Sequence, residues 1–273
     1  MSRLRSLLGG RARAASGPVV VFPHIPKTAG QTVISELRRV LGEAAHSPVR
    51  THAAAPEDAQ MPPGYRLYAG HIDWVDLETL PDNRFAFTLL RDPYERIASF
   101  YFYLLREAAK LTPEELATKA RTNMRMISTR SADDYFFGGD RPWQRFVLDH
   151  YDNFQTAYLA TGRIRGAKQI DSLPRSDWVG WALSGAQRLQ GIYGLNDLDR
   201  LESDLAARLG TTVNLTGNFV NAGPDLGPDA RAGTRPRRWP DLVARFEQDG
   251  NAARLERFAE TDADLIEQLG MRQ

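Results

Sequence analysis

Three short stretches of this 273-residue chain carry side chains whose types and spacing could do chemistry. The first is HIPKTAG, residues 24–30, followed by Gln31 and Thr32. A lysine, Lys27, beside a tight turn with Gly30 at the start of a helix is a way to hold an anion. Backbone N–H groups of the turn point outward, the helix dipole adds positive character, and Lys27 adds a full charge. The hydroxyls of Thr28 and Thr32 can donate hydrogen bonds to the same oxygens. The second stretch is Gly70-His71, and the third is Arg91-Asp92-Pro93 with Ser99 eight positions after the arginine. A guanidinium such as that of Arg91 offers paired donors to phosphate oxygens. The first stretch is not a Walker A loop, which places its lysine after the glycines and next to a serine or threonine.

The elements that must position these residues are legible around them. Val19–Phe22 is a continuous, β-branched apolar run, the pattern of a strand buried on both faces. From Gln31 the period changes, with Val33, Ile34, Leu37, Val40 and Leu41 at helical spacing and Gly42 as stop. Arg66–Gly70 predicts a second short strand, and His71 falls just past its end, where open α/β sheets place their ligands. Arg84–Leu90 predicts a third strand running into Asp92 as N-cap and Pro93 as first helical residue. The helix that follows is apolar nearly all round and should be buried, with Ser99 two turns along it. Between the first helix and second strand, residues 43–64 predict a loop with His46 and His52 as exposed loop histidines.

Farther along, residues 108–148 predict helix, with Lys119, Arg121, Arg125 and Arg130 making either a solvated face or a surface for an anionic acceptor. Trp178, Val179, Trp181, Ala182 and Leu183 carry no readable pattern. Ile192–Leu195 predicts a strand, and Asn196–Leu209 an amphipathic helix stopped by Gly210. Residues 211–240 predict a loop with Arg235, Arg237 and Arg238, and the helices from about Asp241 to Leu269 a C-terminal cap.

Composition bounds the alternatives. With 42% hydrophobic and 25% charged residues the chain is ordinary globular protein rather than disordered. A net charge of +1 gives no global field for nucleic acid, though a local basic site remains open. The absence of cysteine excludes disulfides, thiolate metal sites and cysteine nucleophiles. The histidines show no zinc spacing, so no metal is indicated. No apolar run is long enough to span a bilayer. Residues 1–17 read as a flexible basic N-terminal arm and residues 18–273 as one α/β domain with helical insertions.

In wording and order, HIPKTAGQT, Gly-His and RDPYERIAS resemble the sulfotransferases that use 3′-phosphoadenosine 5′-phosphosulfate (PAPS), in particular the carbohydrate enzymes that include the heparan sulfate 2-O-sulfotransferases. The resemblance runs from about residue 19 to 210. It implies a P-loop-like three-layer α/β fold, with a central, mostly parallel sheet flanked by helices. It implies transfer of a sulfuryl group from PAPS to an acceptor hydroxyl of a glycan, releasing adenosine 3′,5′-bisphosphate, without a metal. Carried over residue by residue, Lys27, Thr28, Ala29, Gly30, Gln31 and Thr32 would hold the 5′-phosphosulfate. Arg91 and Ser99 would hold the 3′-phosphate, His71 would be the catalytic base, and Lys27 would meet the bridging oxygen. Asn153-Phe154-Gln155-Thr156 is similar to the family's N-x-Q-T segment, so Gln155 and Thr156 could contact acceptor or cofactor. Ala157 departs from the arginine usual there. The same chemistry on a small-molecule or lipid hydroxyl stays open, as does a non-catalytic nucleotide-binding protein of the same fold. Related eukaryotic enzymes carry an N-terminal anchor, and its lack here predicts a cytoplasmic, bacterial protein.

Overall fold

The computed structural model describes residues 17–217 and 237–271. The apolar runs become four strands: β1 (Val19–Pro23), β2 (Leu67–Gly70), β3 (Arg84–Leu89) and β4 (Gly191–Tyr193). They form one sheet in the order β2-β1-β3-β4, with every pairing parallel. All residues of β1 are buried, as expected for an inner strand covered on both faces. After β1 the chain crosses through helix α1 (Gly30–Leu41) to β2 on one side, whereas β3 lies on the other side of β1. The carboxyl end of β1 is therefore the switch point at which open parallel sheets form their crevice.

One core layer joins Val20, Phe22, Leu67, Phe85 and Phe87 of the sheet to Val33 and Leu37 of α1 and to Leu198, Leu201 and Leu205 of a helix over Leu198–Leu209. The opposite face of the sheet, with Val21, Tyr68 and Ala86, packs on Trp74, Tyr158 and Leu265. A third cluster forms around α2 (Pro93–Ala108), where Ile97, Tyr101 and Leu104 meet Tyr135, Phe136, Trp143 and Tyr151. Between α2 and β4 lie seven helices: α3 (Pro113–Ala117), α4 (Thr122–Thr129), α5 (Ala132–Phe137), α6 (Arg141–Tyr151), α7 (Phe154–Thr161), α8 (Ala167–Ile170) and α9 (Arg175–Ala186). The Leu198–Leu209 helix is α10, followed by α11 (Trp239–Val243) and α12 (Asn251–Gln268). The α/β fold with a central parallel sheet flanked by helices and helical insertions is therefore as the sequence implied.

The differences are local. Residues 43–64 are not featureless: three 3-10 turns occur, at Glu43–Ala45, His52–Ala54 and Glu57–Ala59. His46 is not an exposed loop histidine but is buried, with Nε2 against the Ala69 carbonyl at 2.9 Å. His52 is half-buried, because its segment runs beside the end of β2, with the His52 amide donating to the His71 carbonyl. The stretch around Trp178 is the helix α9. The basic arm over residues 1–16 and Arg235 lie outside the described residues.

Candidate active site

The loops after β1, β2 and β3 deliver Lys27, His71 and Arg91 to one end of the sheet. Their mutual placement follows from backbone bonds that carry the strand pairing past the strand ends. The His24 amide donates to the Gly70 carbonyl at 2.8 Å, and the His71 amide to the Arg50 carbonyl at 3.0 Å. Gly70 has φ +150°, and a Cβ there would lie 2.2 Å from the Arg50 oxygen, so only glycine lets these segments close.

The loop after β1 is bent differently from a turn hinged on Gly30. The left-handed backbone falls on Lys27, with φ +73°, and on Ala29, with φ +60°. Gly30 is required for space: a Cβ on it would sit 2.0–2.3 Å from the His24 ring. Alternating left-handed residues ahead of a helix turn successive N–H groups to one side, the arrangement that holds a phosphate. α1 then begins at Gly30 with no side-chain cap, and the Thr32 amide donates back to the Ala29 carbonyl at 3.2 Å. The Thr28 hydroxyl does not join them. Thr28 is fully buried and donates to the Ile25 carbonyl at 2.8 Å, so the expected hydroxyl contact to an anion is replaced by one that braces the loop.

Lys27 reaches over α2, with its Nζ 4.0 Å from the centre of the Tyr103 ring. Arg106 stands over the same ring at 5.9 Å. Ser99, Tyr103 and Arg106 are spaced by four and then three residues, so one face of α2 carries all three toward the loop. Burial, followed by the charges of Arg106, Arg91 and Arg238, pushes the Lys27 ammonium down to about 8. Four cations from distant parts of the chain thus face one place. A site built this way is suited to a multiply charged anion.

His71 donates from Nδ1 to the His24 carbonyl at 2.8 Å. A carbonyl can only accept, so Nδ1 holds the proton and Nε2 keeps a lone pair. Burial holds His71 below the ordinary histidine value, with the charge of Lys27 acting in the same direction, so the ring is neutral near pH 7. Its face stacks on His24 at 4.6 Å, and His24 stacks in turn on Phe22 at 5.3 Å. Among the described residues, neither ring nitrogen of His24 finds a hydrogen-bond partner, and burial keeps that ring uncharged.

Arg91 follows β3 and donates from Nη1 to the Lys27 carbonyl at 3.1 Å. Its other nitrogen lies 3.6 Å from Glu95. Asp92 caps α2 by accepting the Glu95 amide at 2.8 Å, and Pro93 occupies the first turn, as the sequence required. Glu95 also accepts the amides of Arg238 and Trp239, each at 3.0 Å, while Trp239 meets the Tyr94 ring. These bonds bring Arg238 of the late basic segment to the site.

Gln155 and Thr156 are fully buried, and their polar groups are committed to other parts of the protein, so the expected contact with acceptor or cofactor is replaced by internal bracing. Tyr103, Arg106 and Glu95 were not legible as site residues. They belong to a helix that reads as apolar nearly all round, and so as buried core, which hides the polar face it turns to the loop.

The family model described as "Sulfotransferase family" matches residues 12–164, more than half of the chain. No curated protein matches the chain. A solved structure that it resembles, mouse sulfotransferase SULT7A1 complexed with PAP, is 13% identical, covers 89% of this chain and 84% of that chain, and has a TM-score of 0.36.

Proposed function

Because the chain belongs to the sulfotransferase family, enzymes that draw a sulfuryl group from PAPS, we propose that its acceptor is a carbohydrate hydroxyl, that His71 is the base and that Lys27 stabilises the leaving oxygen. The observation that carries this reading is the convergence of a neutral His71 with a free Nε2 lone pair and the cationic group of Lys27, Arg91, Arg106 and Arg238 at the carboxyl ends of β1, β2 and β3.

The donor set suits the cofactor's chemistry. The amides from Thr28 to Thr32 at the start of α1 suit the 5′-phosphate, and Arg91 with Ser99 suits the 3′-phosphate. When bound, PAPS supplies the sulfuryl group and leaves as adenosine 3′,5′-bisphosphate. His71 Nε2 takes the proton of the acceptor hydroxyl, a role worth about 10²–10⁴-fold in rate. Lys27, as an ammonium, faces the oxygen on which negative charge develops. Arg91 fixes selectivity for a nucleotide bearing a 3′-phosphate. The wording of the three motifs supports a glycan acceptor.

The test uses labelled PAPS with a panel of glycan, small-molecule and lipid acceptors, and Mg²⁺ left out. The intact protein should transfer label to a glycan. Lys27→Ala and His71→Ala should each lose about 10²-fold or more of turnover, with the fold intact by circular dichroism. Full turnover in either variant would remove that residue from its role, and label passing only to non-glycan hydroxyls would replace the acceptor class.

A further inference from the structure

We propose that Gln155 is a positioning residue that sets selectivity for the 3′-phosphate by holding the backbone of Arg91. This rests on the reading of Arg91 as the 3′-phosphate ligand. The last ladder bond of β3 runs from the Leu90 amide to the Tyr193 carbonyl at 2.8 Å. The next residue, Arg91, finds a side chain in place of a neighbouring strand. Its amide donates to Gln155 Oε1 at 2.9 Å, and its carbonyl accepts from Gln155 Nε2 at 2.8 Å. A carboxamide carries N–H donors and a carbonyl acceptor side by side, so one side chain satisfies both backbone groups of Arg91. Gln155 thus stands in for a neighbouring strand just past the end of β3, at the residue whose guanidinium must be aimed.

Gln155 is itself held in place. It is fully buried on α7, and its amide donates to Asp262 of α12 at 3.2 Å. The neighbouring Thr156 donates to the same carboxylate from both its amide and its hydroxyl, each at 2.7 Å. The chain of bonds runs from α12 through the start of α7 to the backbone of Arg91. From there the guanidinium reaches the Lys27 carbonyl on the phosphate loop. With both ends of its amide engaged, Gln155 acts on the ligand only through Arg91. Glutamine suits the place because asparagine is one methylene shorter, and a carboxylate would face the Arg91 carbonyl with a second acceptor.

The experiment compares the affinities of adenosine 3′,5′-bisphosphate and AMP by calorimetry, for the intact protein and for Gln155→Met, which keeps length and removes both hydrogen bonds. AMP reads the 5′-phosphate loop alone. The preference for the bisphosphate should fall about tenfold in Gln155→Met, with AMP affinity changed less than twofold. Equal weakening of both ligands would make Gln155 merely structural, and an unchanged ratio would make it irrelevant; either overturns the proposal. An intact protein with no preference for the bisphosphate would instead overturn the reading of Arg91 and this inference with it. Should Gln155→Met not fold, Gln155→Asn, one methylene too short to reach both backbone groups of Arg91, is judged on the same ratio, with a fall in the same direction expected.

Discussion

Lys27 is placed where its charge is most useful and least comfortable. Burial comes first among the causes that push it down to about 8, and three arginines add to it. The group is therefore charged at neutral pH but loses its proton one to two units above. His71 is displaced downward too, so its base form persists below the ordinary histidine range. For the unliganded enzyme, kcat/KM should be flat near neutrality and decline above about pH 8 as Lys27 deprotonates. Lys27→Arg should push that alkaline limb beyond the measurable range, at lower absolute activity, because a guanidinium keeps its charge. A pH–rate profile of both proteins decides: an alkaline limb unmoved in the variant would assign it to another group. The types and order of Lys27, His71 and Arg91 made them legible in the sequence. The role of Gly30 was not, because it depends on the buried His24 ring that packs against it.

At the scale of elements, α12 fastens α7, and α7 fastens the end of β3. The carboxylate of Asp262 sits at the N-terminus of α7, accepting the amides of Gln155 and Thr156. Nearby, the fully buried Arg96 offsets its charge. Asp262→Ala would leave the buried amides of Gln155 and Thr156 short of an acceptor and Arg96 short of a counter-charge, while the Thr156 hydroxyl keeps the Thr261 carbonyl. A loss of about 3 kcal/mol is expected, a fall of roughly 6–12 °C in Tm for a chain of this size. A thermal unfolding midpoint within about 2 °C of the parent would show that α7 is held by packing alone. Strands β1 and β3 and helices α2 and α10 were readable to within a few residues, because each has an unbroken apolar run or a clean face with a cap. Helix α9 was not. Trp178, Val179, Ala182 and Ala186 are buried at helical spacing, but Trp181, 55% exposed, stands on the opposite side and obscures the period. The bracing by Asp262 was equally hidden, since residues more than a hundred positions apart meet there.

For the whole molecule, a net charge of +1 conceals a strong local field. Lys27, Arg91, Arg106 and Arg238 come from the loop after β1, the end of β3, α2 and the late basic segment, and the fold presses them together against their mutual repulsion. In the unliganded protein, the cost of keeping Lys27 charged is full below about pH 8. It is relieved as pH rises from about 8 toward the ordinary lysine value of 10.5. A bound polyanion reverses that balance by stabilising the ammonium, so binding above pH 8 must draw a proton from solution. Two consequences follow for adenosine 3′,5′-bisphosphate. Its affinity should be level near pH 7 and fall by up to about tenfold per unit above pH 8. At pH 8.5, calorimetry in two buffers of different ionisation enthalpy should show net uptake of a fraction of a proton per ligand, and Lys27→Met should abolish that uptake. Zero uptake in the intact protein would mean that the ligand's charge is met by the arginines alone, and that Lys27 waits over Tyr103 for the reaction step rather than taking part in binding.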